Sequence, residues 1–178
     1  MTGSKSKGFT MAAFLVLLAC AAVLALASAR YLPAVVASHF GASGHADGFM
    51  PRAPYVGVML VVSVIAPLLV ALIPLRAFRG PDPRIHLPNP EYWLADVRRE
   101  ATLAYLSGQA LRFAAMLTVF LCYIQVLVVV ANRAAPPQLP AHWFGAGLFV
   151  YGMLNLVWLI GFSRHFRKAS RDTRGPEA

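Results

Sequence analysis

The stretch LRFAAMLTVFLCYIQVLVVVA, residues Leu111–Ala131, decides the fold. It matches the ~20 apolar residues that a helix needs to cross a ~30 Å hydrocarbon core. Its one charge, Arg112, stands in the first turn, where a long side chain can reach the membrane surface. In lipid every backbone polar group needs a partner within the protein, so such a run must be helical. Working outward, three more runs of this kind appear: Thr10–Ser28, Tyr55–Leu75 and Trp143–Phe162. No Asp, Glu, Lys or His lies deep in any of them. The expected fold is an all-α integral membrane domain of four transmembrane helices spanning residues 1–178. Composition agrees. Apolar residues make up 58% and charged residues 13%, against roughly 45–50% and 25% in soluble chains.

Flanking residues sharpen the ends. Pro54 precedes the second run, where a missing N–H costs little. Tyr31, Tyr55 and Trp143 stand where interfacial aromatics belong. Pro67 removes a backbone hydrogen bond inside the second run and is expected to kink it. Gly145, Gly147 and Gly152 allow close helix approach in the fourth, which permits a homo-oligomer.

Basic residues orient the chain. Of the 16 Lys and Arg, two lie before the first run (Lys5, Lys7). Six lie between the second and third (Arg76, Arg79, Arg84, Arg98, Arg99, Arg112), and five follow the fourth (Arg164, Arg167, Lys168, Arg171, Arg174). Only Arg30, Arg52 and Arg133 remain for the other side. The positive-inside bias therefore puts both termini and the segment 76–110 in the cytoplasm, and the loop 29–54 outside. The same placement explains the net charge of +9 as membrane-flanking charge that meets anionic lipid. A soluble fold with one basic face, the footprint of nucleic-acid binding, is not what this pattern describes. A second reading of the first run is a cleaved signal peptide ending at Ala27-Ser28-Ala29. Nineteen residues is long for the usual 7–15-residue apolar core, so an uncleaved helix is expected. Cys20 and Cys122 sit inside apolar runs with no Cys/His cluster nearby, and read as packing residues.

Two segments remain for function. The outer loop carries His39-Phe40-Gly41-Ala42-Ser43-Gly44-His45-Ala46-Asp47-Gly48. Ser-Gly and Asp-Gly are turn dipeptides, so a compact turn-rich loop is expected, with His39 and Asp47 hydrogen-bonding it. His39, His45, Asp47 and the distant His142 form a weaker metal hypothesis. The spacing His-x5-His-x-Asp presets no ligand geometry, and no metal or other cofactor is expected. The inner segment carries Asn89-Pro90-Glu91-Tyr92-Trp93-Leu94. Asn89 before Pro90 reads as a helix start, and Glu91 suits the helix dipole. Leu94, Val97, Ala101, Ala104 and Tyr105 recur at helical spacing. A short amphipathic cytoplasmic helix is expected there, lying on the lipid surface or docking a cytoplasmic protein partner.

The order Leu32-Pro33, His39-Phe40, Gly44, Asp47-Gly48 between two membrane helices resembles the signature of the DUF1648 family of bacterial membrane proteins. His45 falls where that family more often has Glu or another polar residue. The run Leu87-Pro88-Asn89-x-x-Tyr92-Trp93-Leu94 looks like that of its longer members. The resemblance implies a multi-pass protein of the bacterial cytoplasmic membrane. It also implies an outer-loop domain shared with SdpI-like immunity proteins, which protect against a membrane-active toxin and hold a repressor at the membrane.

No phosphate loop, nucleophile elbow or other catalytic motif occurs, and an enzyme is not expected. The leading reading is a non-enzymatic sensor or immunity-type protein. Its outer binding residues would be His39, Phe40, Gly44, Asp47 and Gly48, and its partner-docking residues Asn89, Tyr92, Trp93 and Leu94. The alternative is a small transporter subunit or carrier for an uncharged or lipid-like substrate, with Gln125 and Asn155 lining a polar seam. The lack of a buried ionisable residue weighs against ion coupling.

Overall fold

The structure, a computed structural model, describes residues 3–77 and 87–172, with side chains over 11–74, 76 and 87–167. The side chains of Lys5, Lys7, Arg79, Arg84, Lys168, Arg171 and Arg174 lie outside the described residues. The chain is a multi-pass membrane protein, with four helices long and apolar enough to cross a membrane. The first span is α1 (Gly3–Ser28). Strands β1 (Val35–Phe40) and β2 (Ala46–Pro51) follow. The second span joins α2 (Arg52–Leu60) through a π-turn (Val61–Ile65) to α3 (Ala66–Ala77). A single turn, α4 (Pro90–Trp93), precedes the third span α5 (Asp96–Ala131), and α6 (Ala141–Asp172) is the fourth.

Three local expectations are corrected. The inner segment is not a separate amphipathic helix. From Asp96 onward no proline interrupts the run, so helix propagates unbroken for 36 residues into the third span. At 1.5 Å per residue that is ~54 Å, well beyond the ~30 Å of hydrocarbon. Only α4 is detached, by an extended backbone at Ala95 (ψ 143°). Asn89 does not cap with its side chain. It adopts the left-handed region (φ 54°), and its carbonyl accepts from the Tyr92 and Trp93 N–H groups. The buried face of the segment also differs: Thr102, Leu106 and Gln109 face the bundle, while Val97 is 94% exposed.

The kink expected at Pro67 takes the form of a π-turn just ahead of it. Pro67 has no N–H to return to Ser63, and the Ala66 N–H reaches five residues back to the Val61 carbonyl. Pro67 itself is fully buried.

Helices in lipid gain little from hydrophobic burial against one another, so close packing and hydrogen bonds hold them. α1, the second span and α5 form a three-helix bundle with two buried clusters. Ala25, Leu32, Val36, Tyr55, Met59 and Val128 pack at the hairpin end. Phe14, Leu18, Ala71, Leu111 and Ala114 pack nearer the opposite end. α6 stands beside this bundle and packs chiefly on α5, through aromatic rungs. Phe120 stacks on Tyr151 at 4.3 Å, Phe113 meets Trp158 at 5.4 Å and Tyr105 stacks on His165 at 3.7 Å. Tyr151, Trp158 and His165 recur every seven residues, as do Phe113 and Phe120, the period that keeps two helices in register along a left-handed seam. Of the three glycines expected to admit a neighbour, only Gly147 does. A Cβ there would lie 2.1 Å from Tyr123 Cε1, whereas Gly145 and Gly152 face open space.

Candidate functional site

The outer segment folds as a β-hairpin rather than the expected turn-rich loop. Val35 and Val36 are β-branched and favour extended backbone. The turn lies at Gly41–His45, where the Gly44 N–H bonds the Gly41 carbonyl and the Gly41 N–H bonds the His45 carbonyl. Gly44 takes φ +81°, a conformation that suits glycine. Asp47-Gly48 marks no turn; both residues lie inside β2. The pairing runs from Val35 opposite Pro51 to Phe40 opposite Ala46, with an irregularity on each side of His39. Bulges of this kind re-aim a side chain. Here His39 sits opposite Gly48, and a Cβ on Gly48 would come within 2.8 Å of the His39 Cβ. The His39 Nδ1 meets the Asp47 Oδ1 on the exposed face of the hairpin. That contact leaves Nε2 as the ring's remaining hydrogen-bonding atom.

The residues named from the sequence thus divide by role. His39 and Asp47 form an exposed donor–acceptor pair. Gly44 and Gly48 provide backbone freedom and clearance for that pair. Phe40 is half-buried against the hairpin-end cluster. His45 instead forms a bridge with Gln138, and His142 packs near Trp143. Among the described residues no three His, Cys, Asp or Glu side chains converge as a metal site would require.

What fixes the hairpin to the membrane helices is a set of residues to which the sequence assigned no binding role. Asn132, just past the end of α5, accepts from the Ala37 N–H at 2.8 Å and donates to the Ala37 carbonyl at 3.0 Å. Its amide does what a neighbouring strand would do for β1. The connection between α5 and α6 adds a second tie: the Leu139 N–H bonds the Gly44 carbonyl at 2.8 Å. Arg52 donates to the Ala29 and Leu32 carbonyls at 3.3 and 3.1 Å. A cation there suits the negative end of α1. Arg133 lies 5.2 Å from the Tyr31 ring centroid, within cation–π range. A polar residue directly after an apolar run was the available signal for Asn132.

Beneath the hairpin, Tyr55 departs from expectation. Its ring is buried in the bundle rather than exposed, and its hydroxyl has a partner there. The Tyr55 hydroxyl donates to Gln125 Oε1 at 2.9 Å, Gln125 Nε2 donates to Ser28 Oγ at 2.6 Å, and Ser28 Oγ donates to the Ala25 carbonyl at 2.7 Å. One polar chain thereby joins three spans. Asn155 is no part of it: its Nδ2 bonds the Tyr151 carbonyl of its own helix. The Tyr151–Phe120 stack places Asn155 roughly nine residues below Gln125 along α5, or ~14 Å. The polar seam expected between these two residues does not form.

At the opposite end, Trp93 stacks on His165 at 5.4 Å and meets Phe166 edge-on at 4.9 Å. Its carbonyl accepts from Thr102 Oγ1 at 2.9 Å. Arg98 lies over the Tyr92 ring at 4.1 Å. Of the docking residues named from the sequence, Trp93 is therefore engaged within the protein, Tyr92 and Leu94 are half-buried, and Asn89 is exposed.

Residues 15–66 match the family described as "Domain of unknown function (DUF1648)". The match runs from within α1 through the hairpin and ends in front of Pro67. No curated protein and no solved structure matches the chain.

Proposed function

We propose, from the premise that this is a DUF1648-family multi-pass membrane protein, that it is a non-enzymatic receptor of the sensor or immunity type. The hairpin binds a ligand outside the cytoplasmic membrane, and the segment Asn89–Leu94 meets a cytoplasmic protein. The orientation rests on the basic residues of the segment 76–110 and the two tails. The observation that carries the reading is the mechanical link between the two ends. Asn132 bonds the hairpin to the end of α5, and α5 continues without a break to the aromatic cluster that holds α4. A ligand that shifts the hairpin acts on a rigid rod. The alternative of a carrier has less to support it, since Gln125 and Asn155 share no seam.

The test is crosslinking of the tagged full-length protein in its native membrane, followed by mass spectrometry. A cytoplasmic protein linked within residues 92–100 is expected. The double variant His39→Ala/Asp47→Ala should change its recovery several-fold at equal membrane abundance. Recovery of no partner, or equal recovery from both forms, would refute the receptor reading.

A further inference from the structure

α5 and α6 are held apart by their aromatic rungs, and in the hairpin-end half of the span this leaves a groove of about 590 Å³ between them. That volume falls in the range of small-molecule sites, roughly 300–1,000 Å³. Its floor is aromatic: Phe120 stacked on Tyr151, and Tyr123, whose hydroxyl donates to the Trp143 carbonyl. Its space exists because Ala115, Ala146 and Gly147 are small. No charged side chain lines it.

Three observations identify the occupant. The groove extends along α6 from Trp143 to Leu154, or ~16 Å at 1.5 Å per residue. That is about half of a ~30 Å hydrocarbon core, the depth of one leaflet. Second, its walls satisfy an alkyl chain and nothing polar, and an unfilled apolar groove forfeits dispersion contacts. Third, the mouth lies at Trp143, which is 59% exposed, as an aromatic at the membrane–water boundary would be. We infer that the α5–α6 groove is a binding site for one acyl chain of a phospholipid from the hairpin-side leaflet. The site stands independently of any partner at α4.

Native mass spectrometry of the full-length protein, extracted in mild detergent, tests this. The wild type should retain one phospholipid. Ala146→Phe, which fills the groove, should lower retention at least five-fold. Val157→Phe places the same ring at an exposed position of α6 that does not line the groove and should retain the lipid. The site is refuted by absence of lipid from the wild type, by equal retention in A146F, by equal loss in V157F, or by a dimer that A146F dissociates. A retained free fatty acid would refute the phospholipid source. Should A146F fail to accumulate, the variant Trp93→Phe/Trp158→Phe, which keeps Trp143, decides in vesicles of phosphatidylcholine brominated at mid-chain. Quenching that saturates at a low mole fraction of brominated lipid supports a site; quenching proportional to that fraction refutes it.

Discussion

Asn132 shows how much one side chain can decide in a membrane protein. Its amide satisfies the N–H and the carbonyl of Ala37 and also donates to the Val128 carbonyl. Asn132→Ala leaves partly buried peptide groups without partners, at a cost of about 1–3 kcal/mol. Lower resistance to unfolding and faster proteolysis within the hairpin should both be measurable. Asn132→Asp keeps the acceptor for the Ala37 N–H but sets a second oxygen against the Ala37 carbonyl, and should be no better tolerated. Within the bundle, the Tyr55–Gln125 bond gives a second test. A double-mutant cycle with Tyr55→Phe and Gln125→Leu should show a coupling of about 0.6 kcal/mol, the average for such bonds between membrane helices, and at most about 1.7 kcal/mol. A coupling near zero would mean that water or lipid headgroups replace the bond.

At the scale of elements, the fourth span stands apart because it is held by stacked rings and one admitted glycine. Gly147→Ala must displace Tyr123, whose Cε1 would lie 2.1 Å from the new Cβ, and so break the bond to the Trp143 carbonyl. The expected loss is about 1–3 kcal/mol, as for overpacking in general. Gly152→Ala meets nothing within 4 Å and should stay within about 0.5 kcal/mol of the wild type. Thermal unfolding followed by tryptophan fluorescence separates the two variants. The heptad recurrence of Phe113 and Phe120 against Tyr151, Trp158 and His165 was present in the sequence, but hydropathy reading treats every ring as lipid-soluble and misses its partner.

For the whole molecule, the testable claim is orientation. In a Cys20→Ala/Cys122→Ala background, Ser43→Cys should react with a membrane-impermeant maleimide applied to intact cells. Glu100→Cys should react only after permeabilisation. The reverse pattern would place the hairpin in the cytoplasm and overturn the receptor reading with it.

The four spans and the domain that bears the hairpin were determined by the sequence alone. Bilayer thickness sets a length and lipid forbids open backbone, so apolar runs of about 20 residues have one solution. The spacing of Leu32-Pro33, His39-Phe40 and Asp47-Gly48 likewise identified the domain that residues 15–66 match. Tertiary structure decided the rest. How the hairpin formed by residues 35–51 sits on the helices depended on Asn132 and Leu139, some ninety residues away, which supply backbone partners. Tyr55 went inside because Gln125 of another span offered an acceptor. Asn155 stayed apart because α6 docks by its rings and leaves a groove where a seam was expected. Hydropathy is a property of one helix and its solvent; hydrogen-bond pairing and ring stacking are properties of two, and only their meeting in space reveals them.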